Sequence, residues 1–81
     1  MRLDLLLYRL RFARSRSKAK ALVEAGHVRI DGRRVQRANA AVSAGDTLTF
    51  PIGRSVCVLR VLALPERRGP AVEAQQCYER L

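Results

Sequence analysis

The sequence predicts an α+β domain: a helix hairpin, a small antiparallel sheet of about four to five strands and a short C-terminal helix. Three observations carry this expectation. Leu3, Leu6, Leu7 and Leu10 fall at i, i+3, i+4 and i+7, the apolar stripe of a helix. A second periodic stretch opens at Ser15, soon after the first ends, and closes at Gly26. Asp31-Gly32 then stands between two short alternating runs. That dipeptide suits a tight hairpin because both turn residues need positive φ.

In the first helix Asp4 lies near the start and Arg9 near the end, where each charge suits the helix dipole. Leu5 and Tyr8 project away from the leucine stripe, so they either meet a later element or form an exposed apolar surface. A break at Ala13-Arg14 leads to Ser15, whose hydroxyl suits the cap of the next helix. Ala19, Leu22 and Val23 give that helix, residues 16–25, its core side, and Gly26 suits a left-handed turn at its end. The short break implies two helices packed as a hairpin.

Val28 and Ile30 alternate with His27 and Arg29, and Arg33, Arg34 and Val35 follow the turn. Residues 36–44 are small and polar and read as a loop. Gly45-Asp46 turns the chain into a strand in which Leu48 and Phe50 alternate, and residues 51–54 (PIGR) read as another turn. Residues 55–64 (SVCVLRVLAL) form a strand apolar on both faces, which suggests a central place. After residues 65–70 (PERRGP) break the pattern, Ala71, Ala74, Tyr78 and Leu81 mark a closing helix, with Pro70 and Glu73 favourable at its start. The expected division is a main domain over 1–64, with a loop and helix over 65–81 packed on it.

A chain of 81 residues holds one core and one binding face, with little room for an enclosed catalytic cleft. Its charge is unevenly placed. Residues 1–37 carry eleven Lys/Arg against three Asp/Glu, net +8, whereas residues 38–81 carry five against four, net +1. Such concentration points to a polyanion as the usual companion, with a solvated basic face as the plain alternative. Cys57 and Cys77 have no C-x-x-C spacing and no neighbouring His, so they read as free, buried thiols of a reducing cytosol rather than a zinc site; a single disulfide stays open. The apolar run Leu5-Leu6-Leu7-Tyr8 is too short for a secretory signal, and Asp4 argues against a mitochondrial presequence. A soluble, cytoplasmic protein with no membrane partner is expected.

The second helix concentrates the charge. Its core side turns Arg16, Ser17, Lys20 and Glu24 outward. Arg16 and Lys20 stand one turn apart, about 5–6 Å between Cβ atoms, close to the scale of neighbouring phosphates. The helix start adds free N–H groups, and the following hairpin should bring Arg29, Arg33 and Arg34 into the same neighbourhood. The competing reading is a Lys20–Glu24 pair with the rest solvated. The helix has one Arg and no Asn or Gln, a poor complement for reading bases in a DNA groove. Phosphate binding without base reading suits structured RNA, recognised by shape and backbone, and composition alone leaves RNA and DNA near even.

Arg2-Leu3-Asp4, residues 14–35 (RSRSKAKALVEAGHVRIDGRRV) and Gly45-Asp46 resemble the S4 domain, an RNA-binding module named after a small-subunit ribosomal protein. The family pattern is an Arg-Leu-Asp start, a basic helix with Ser/Thr-Arg-Ser, then Gly-x-Val-x-Val/Ile-Asn-Gly and later Gly-Asp. The likeness covers residues 2–50, and the order and spacing of its motifs make it specific. Residues 66–79 (ERRGPAVEAQQCYE) resemble the segment that follows the S4 domain in the family's small bacterial heat-shock member. Free-standing relatives in ribosome quality control are similar in size and start.

The resemblance implies an S4-type (alpha-L) fold and a non-enzymatic monomer without cofactor or metal. It implies binding to ribosomal RNA and tRNA on large ribosomal subunits that hold peptidyl-tRNA, in ribosome rescue or the heat-shock response. The RNA face would fall on Arg2, Arg11, Arg14, Arg16, Ser17, Lys20 and Arg29, with Arg33 added from the hairpin. Gly26 and Gly32 would shape it, and Asp4 would hold a neighbouring Arg. There are departures. Leu5 replaces a common Lys, Leu6 and Tyr8 stand at common Trp positions, Asp31 replaces the usual turn Asn, and the chain stops at Leu81 without the long basic tail of the heat-shock protein. Two rivals remain: an accessory domain detached from an RNA-modifying enzyme, and a protein–protein adaptor using Leu5 and Tyr8.

Overall fold

The leucine stripe forms as its spacing requires. In the computed structural model, which describes all 81 residues, helix α1 spans Leu3–Arg9 and buries Leu3, Leu6 and Leu7, with Leu10 just beyond. Helix α2, Arg16–Glu24, adds Ala19 and Val23 to the same core. Behind the helices lies one antiparallel sheet of β1 (Val28–Ile30), β2 (Arg33–Val35), β3 (Thr47–Ile52), β4 (Ser55–Val61) and β5 (Tyr78–Arg80), in the order β2-β1-β3-β4-β5. A short helix α3, Ala71–Gln75, stands between β4 and β5 in the chain. The core closes with Val28, Val42, Leu48, Phe50, Cys57, Leu59 and Val61. Each such side chain, fully buried, contributes about 1.5–3 kcal/mol. No helix is long and apolar enough to cross a membrane.

Both helices of the hairpin are closed at their ends by specific bonds. The first N–H groups of α1 have no intrahelical partner. The loop after β2 supplies two: Leu3 N donates to the Ala40 carbonyl at 2.9 Å and Asp4 N to the Ala38 carbonyl at 3.0 Å. Leu5 N donates to Asp4 Oδ1 at 2.8 Å. At the start of α2, Ser15 Oγ accepts from Lys18 N at 3.1 Å, so the expected cap is present. The end of α2 is a Schellman turn, with Gly26 N donating to Val23 O at 2.9 Å and His27 N to Leu22 O at 3.4 Å. Gly26 takes φ +82°, and a Cβ there would run into the Arg34 guanidinium.

Asp31 and Gly32 have φ 51° and 83°, the pair of positive values that a type I′ turn needs. Gly32→Val is therefore expected to cost about 1–3 kcal/mol, because a β-branched residue resists that conformation. The cost is conformational rather than steric, since a Cβ added at Gly32 would meet nothing within 4 Å. An unchanged melting temperature would show that the turn tolerates strain.

Four expectations need correction. The turn after β3 is Gly53-Arg54 alone, since Pro51 pairs with Val56 and Ile52 with Ser55 inside the ladder. Pro51 is tolerated because β1 pairs with β3 only as far as Thr49, so no neighbour waits for its missing N–H. Strand β4 does have neighbours on both sides, but only one of its faces is covered: Cys57, Leu59 and Val61 are buried, whereas Val56 is 65% exposed. The closing helix ends at Gln75, and Tyr78 belongs to β5 instead. The edge of β4 offers the chain a ladder, and Leu62 N and Ala63 N both donate to the Cys77 carbonyl, which anchors the switch. Both cysteines are free; Cys57 is buried, and Cys77 is half-exposed rather than buried.

Aromatic contacts tie the linker between the helices to the sheet. The Phe12 ring lies 5.0 Å from both Phe50 of β3 and Tyr78 of β5. Arginines fasten the segment after β4 to the end of α1. Arg9 donates to the Pro65 carbonyl at 2.9 Å, Arg11 to the Gly69 carbonyl at 3.0 Å, and Arg68 to the Tyr8 carbonyl at 3.1 Å.

Candidate nucleic-acid interface

Asp4 organises the basic cluster. It is a carboxylate only 3% exposed, on the first turn of α1. A buried carboxylate needs partners. Arg2 supplies two bonds, Nε at 2.6 Å and Nη2 at 3.0 Å. Arg16, at the start of α2, approaches to 3.7 Å. The two arginines are themselves 44% and 48% exposed, so each presents its remaining N–H donors to solvent. One acid thus holds two cations, one from the start of each helix of the hairpin, side by side and facing outward.

Lys20 lies one turn after Arg16 and is exposed, beside the buried Ala19 and Val23. The competing Lys20–Glu24 pair is not made: the ion pairs of the molecule join Arg2 and Arg16 to Asp4, Arg60 to Glu79, and Arg67 to Glu73. Arg2 and Lys20 line one shallow cavity of about 260 Å³ together with Glu24, Gln36, Arg37 and Asn39. Arg37 is a member of this cluster that the sequence motifs do not single out. It arrives there because the loop's carbonyls at Ala38 and Ala40 cap α1. Its signal in the sequence is only its charge, in a stretch that reads as a polar loop. Ser17 is exposed on the first turn of α2, and Arg14 is exposed between the helices.

The other sequence-predicted residues do not join this cluster. Arg11 is exposed, but its guanidinium is bonded to Gly69 and its backbone holds φ 70°, the left-handed position that closes α1. Arg29 and Arg33 do not share one neighbourhood. Strand alternation puts Arg29 on the sheet face away from the helices and Arg33, paired opposite Ile30, on the other. Arg33 borders a separate depression with Asp31 and Asp46. Leu5 and Tyr8 form no exposed apolar surface, since both are half-buried and the Arg68 guanidinium lies 4.8 Å above the Tyr8 ring.

Comparison with known proteins gives the family of the chain. Residues 1–48 match the S4 domain family model. Heat shock protein 15 of Escherichia coli strain K12 is 35% identical over 79 residues, 98% of this chain and 59% of that protein. Small ribosomal subunit protein uS4 of Phytoplasma australiense is 44% identical over 49 residues, 60% of this chain and 25% of that protein. The chain therefore spans a quarter of this uS4 relative and about three fifths of this heat-shock relative. A trimeric structure of heat shock protein 15 from Vibrio cholerae superposes with a TM-score of 0.95 at 32% identity, covering all of this chain and 81% of that one. Family match, whole-length likeness and a shared S4-type fold agree, and the chain belongs to the S4 domain family.

Proposed function

We propose that this chain binds structured RNA through the phosphate backbone, with Arg2, Arg16, Ser17 and Lys20 as its central contacts and Arg11, Arg14, Arg29 and Arg33 as further cations outside that cluster. The observation that carries the reading is the Asp4-centred pair of arginines beside an unpaired lysine. Such a group is held in place before any partner arrives, so little side-chain freedom is lost on binding. It offers charge and geometry but no groups arranged for covalent chemistry, and the proposed role is binding alone, without cofactor or metal.

The partner is proposed to be the large ribosomal subunit holding peptidyl-tRNA, with contacts to ribosomal RNA and tRNA, in ribosome rescue, quality control or heat-shock response in the cytoplasm. The likeness to heat shock protein 15 over nearly the whole chain supports the heat-shock setting, and the likeness to small ribosomal subunit protein uS4 supports a ribosomal one. Two RNAs meeting one small domain each add phosphate contacts, and the joined site raises the effective concentration of the second. Every residue of the proposed face comes from one chain, so a monomer suffices for binding. Because the Vibrio relative is trimeric, light scattering is the check, and a mass near 9.1 kDa is expected.

Sedimentation with purified subunits tests the partner. Free large subunits should carry down more protein than small subunits or intact ribosomes, and peptidyl-tRNA on the subunit should increase the amount. Equal binding to small subunits, large subunits and bulk RNA would reduce the function to generic RNA binding.

A further inference from the structure

The sheet face turned away from the helices carries its own row of cations. Buried Val28 and its partner Val35 define the inner face of the β1–β2 ladder. Arg29 and Arg34, paired directly opposite each other one position along, therefore share the outer face. Arg29 is next paired with Thr49 of β3, and Thr49 with Val58 of β4. A line of side chains thus crosses four strands as Arg34, Arg29, Thr49, Val58.

Like charges directly opposite on one face destabilise a sheet. Neither arginine has a carboxylate in ion-pair reach, because the molecule's ion pairs lie elsewhere. Each instead donates a single bond to a backbone carbonyl, Arg29 to Gly32 at 3.2 Å and Arg34 to Gly26 at 3.0 Å. That fixes the two guanidinium groups on one face and leaves most of their N–H donors free. Beside them a shallow cavity of about 250 Å³ is lined by His27, Arg29, Thr49, Pro51 and Val56. Val56, 65% exposed, offers an apolar shelf next to the cations.

We infer that this outer sheet face is a second RNA-binding surface, separate from the Asp4-centred cluster, which takes a single RNA strand crossing the β-strands. Its phosphates lie against Arg34 and Arg29, and its sugars against Pro51 and Val56. Neighbouring strands are about 4.7–4.9 Å apart, so the two guanidinium groups reach adjacent phosphates or grip one from both sides. An acidic protein segment would meet the charge equally well, but the apolar shelf beside a hydroxyl and two planar guanidinium groups favours a sugar–phosphate chain. The inference rests on the RNA-binding reading above and adds a second surface to it.

The test compares wild type, R16A/K20A, R29Q/R34Q and R29K/R34K. Each is titrated with a labelled RNA stem-loop bearing a single-stranded flank across a range of salt, and each is melted. Glutamine removes charge while keeping a donor for the Gly32 and Gly26 carbonyls. R29Q/R34Q should bind about tenfold more weakly at roughly 0.1 M salt, with a salt slope smaller by about 1–2 units. Its melting temperature should equal or exceed that of wild type, because a repulsion has been removed, and R29K/R34K should recover most of the affinity. Wild-type affinity and slope in R29Q/R34Q would overturn the inference. So would a lowered melting temperature with no recovery in R29K/R34K, which marks a structural role. Displacement of the RNA from R16A/K20A by poly-glutamate as readily as by unlabelled RNA would overturn it in favour of an acidic protein partner. Wild type that binds no RNA even at low salt would instead defeat the underlying RNA-binding reading.

Discussion

Replacing Arg16 and Lys20 together with alanine is expected to weaken RNA binding about 10–100-fold at roughly 0.1 M salt while leaving the domain folded. The magnitude follows from two lost phosphate contacts, each of which releases close to one counterion. The stability side follows from the packing. Both side chains are exposed, whereas the burial of α2 is carried by Ala19 and Val23. Lys20 has no acidic partner, and the Arg16–Asp4 contact is a long 3.7 Å with a half-exposed arginine. Half-exposed pairs contribute about 0–1 kcal/mol, so the melt should shift little. Filter binding gives the affinity and thermal unfolding the control. A double variant that melts far below wild type would make these residues structural and remove them from the RNA face.

Asp4→Ala should act in the opposite proportion, lowering stability more than the salt slope. The carboxylate is buried and accepts from Arg2 twice and from Leu5 N. Removing one partner of a buried pair costs about 3–5 kcal/mol, but here both arginines keep access to water and can be rehydrated. A loss of about 1–3 kcal/mol is expected, which for a domain of this size is roughly 5–20 °C in melting temperature. Affinity should fall several-fold because Arg2 and Arg16 are no longer held side by side, yet the cations remain, so the salt slope should persist. A melting temperature within a degree of wild type would show that Asp4 does not organise the cluster. A collapse of the slope would show that it acts on binding by some route other than holding the arginines.

The elements legible in the sequence are those whose signals are local. Leucines at helical spacing, a serine cap, a glycine at a helix end and Asp-Gly between alternating runs each form what they announce. The elements that escape a reading of the sequence depend on partners distant in the chain. Tyr78 fits a helix begun at Ala71 as well as it fits a strand, and only the free edge of β4 decides for β5. Pro51 reads as a turn until it is known that β1 stops pairing at Thr49.

The same division runs through the site. Arg16 and Lys20 share a helix face by spacing alone, and Asp4 is expected to hold an arginine. That it holds two, one from the start of each helix, needs the hairpin to close. Arg37 reaches the cluster only through loop carbonyls capping α1. The separation of Arg33 from Arg29 is legible in principle: positions of opposite parity across a two-residue turn lie on opposite faces of a ladder. Arg11, by contrast, gives no sign in the sequence of being the left-handed residue that closes α1, because non-glycine residues seldom take that position.

The central claim is that fixed surface cations bind RNA phosphates, and its most direct test is the salt dependence of wild-type affinity for a structured RNA. With about 4–6 phosphate contacts, log K should fall against log salt with a slope of roughly −3 to −5. Between about 50 and 200 mM salt, that is a loss of roughly 60–1000-fold. A flat titration over the same range would contradict phosphate-dominated binding, and with it the reading of this domain as a backbone-recognising RNA-binding protein.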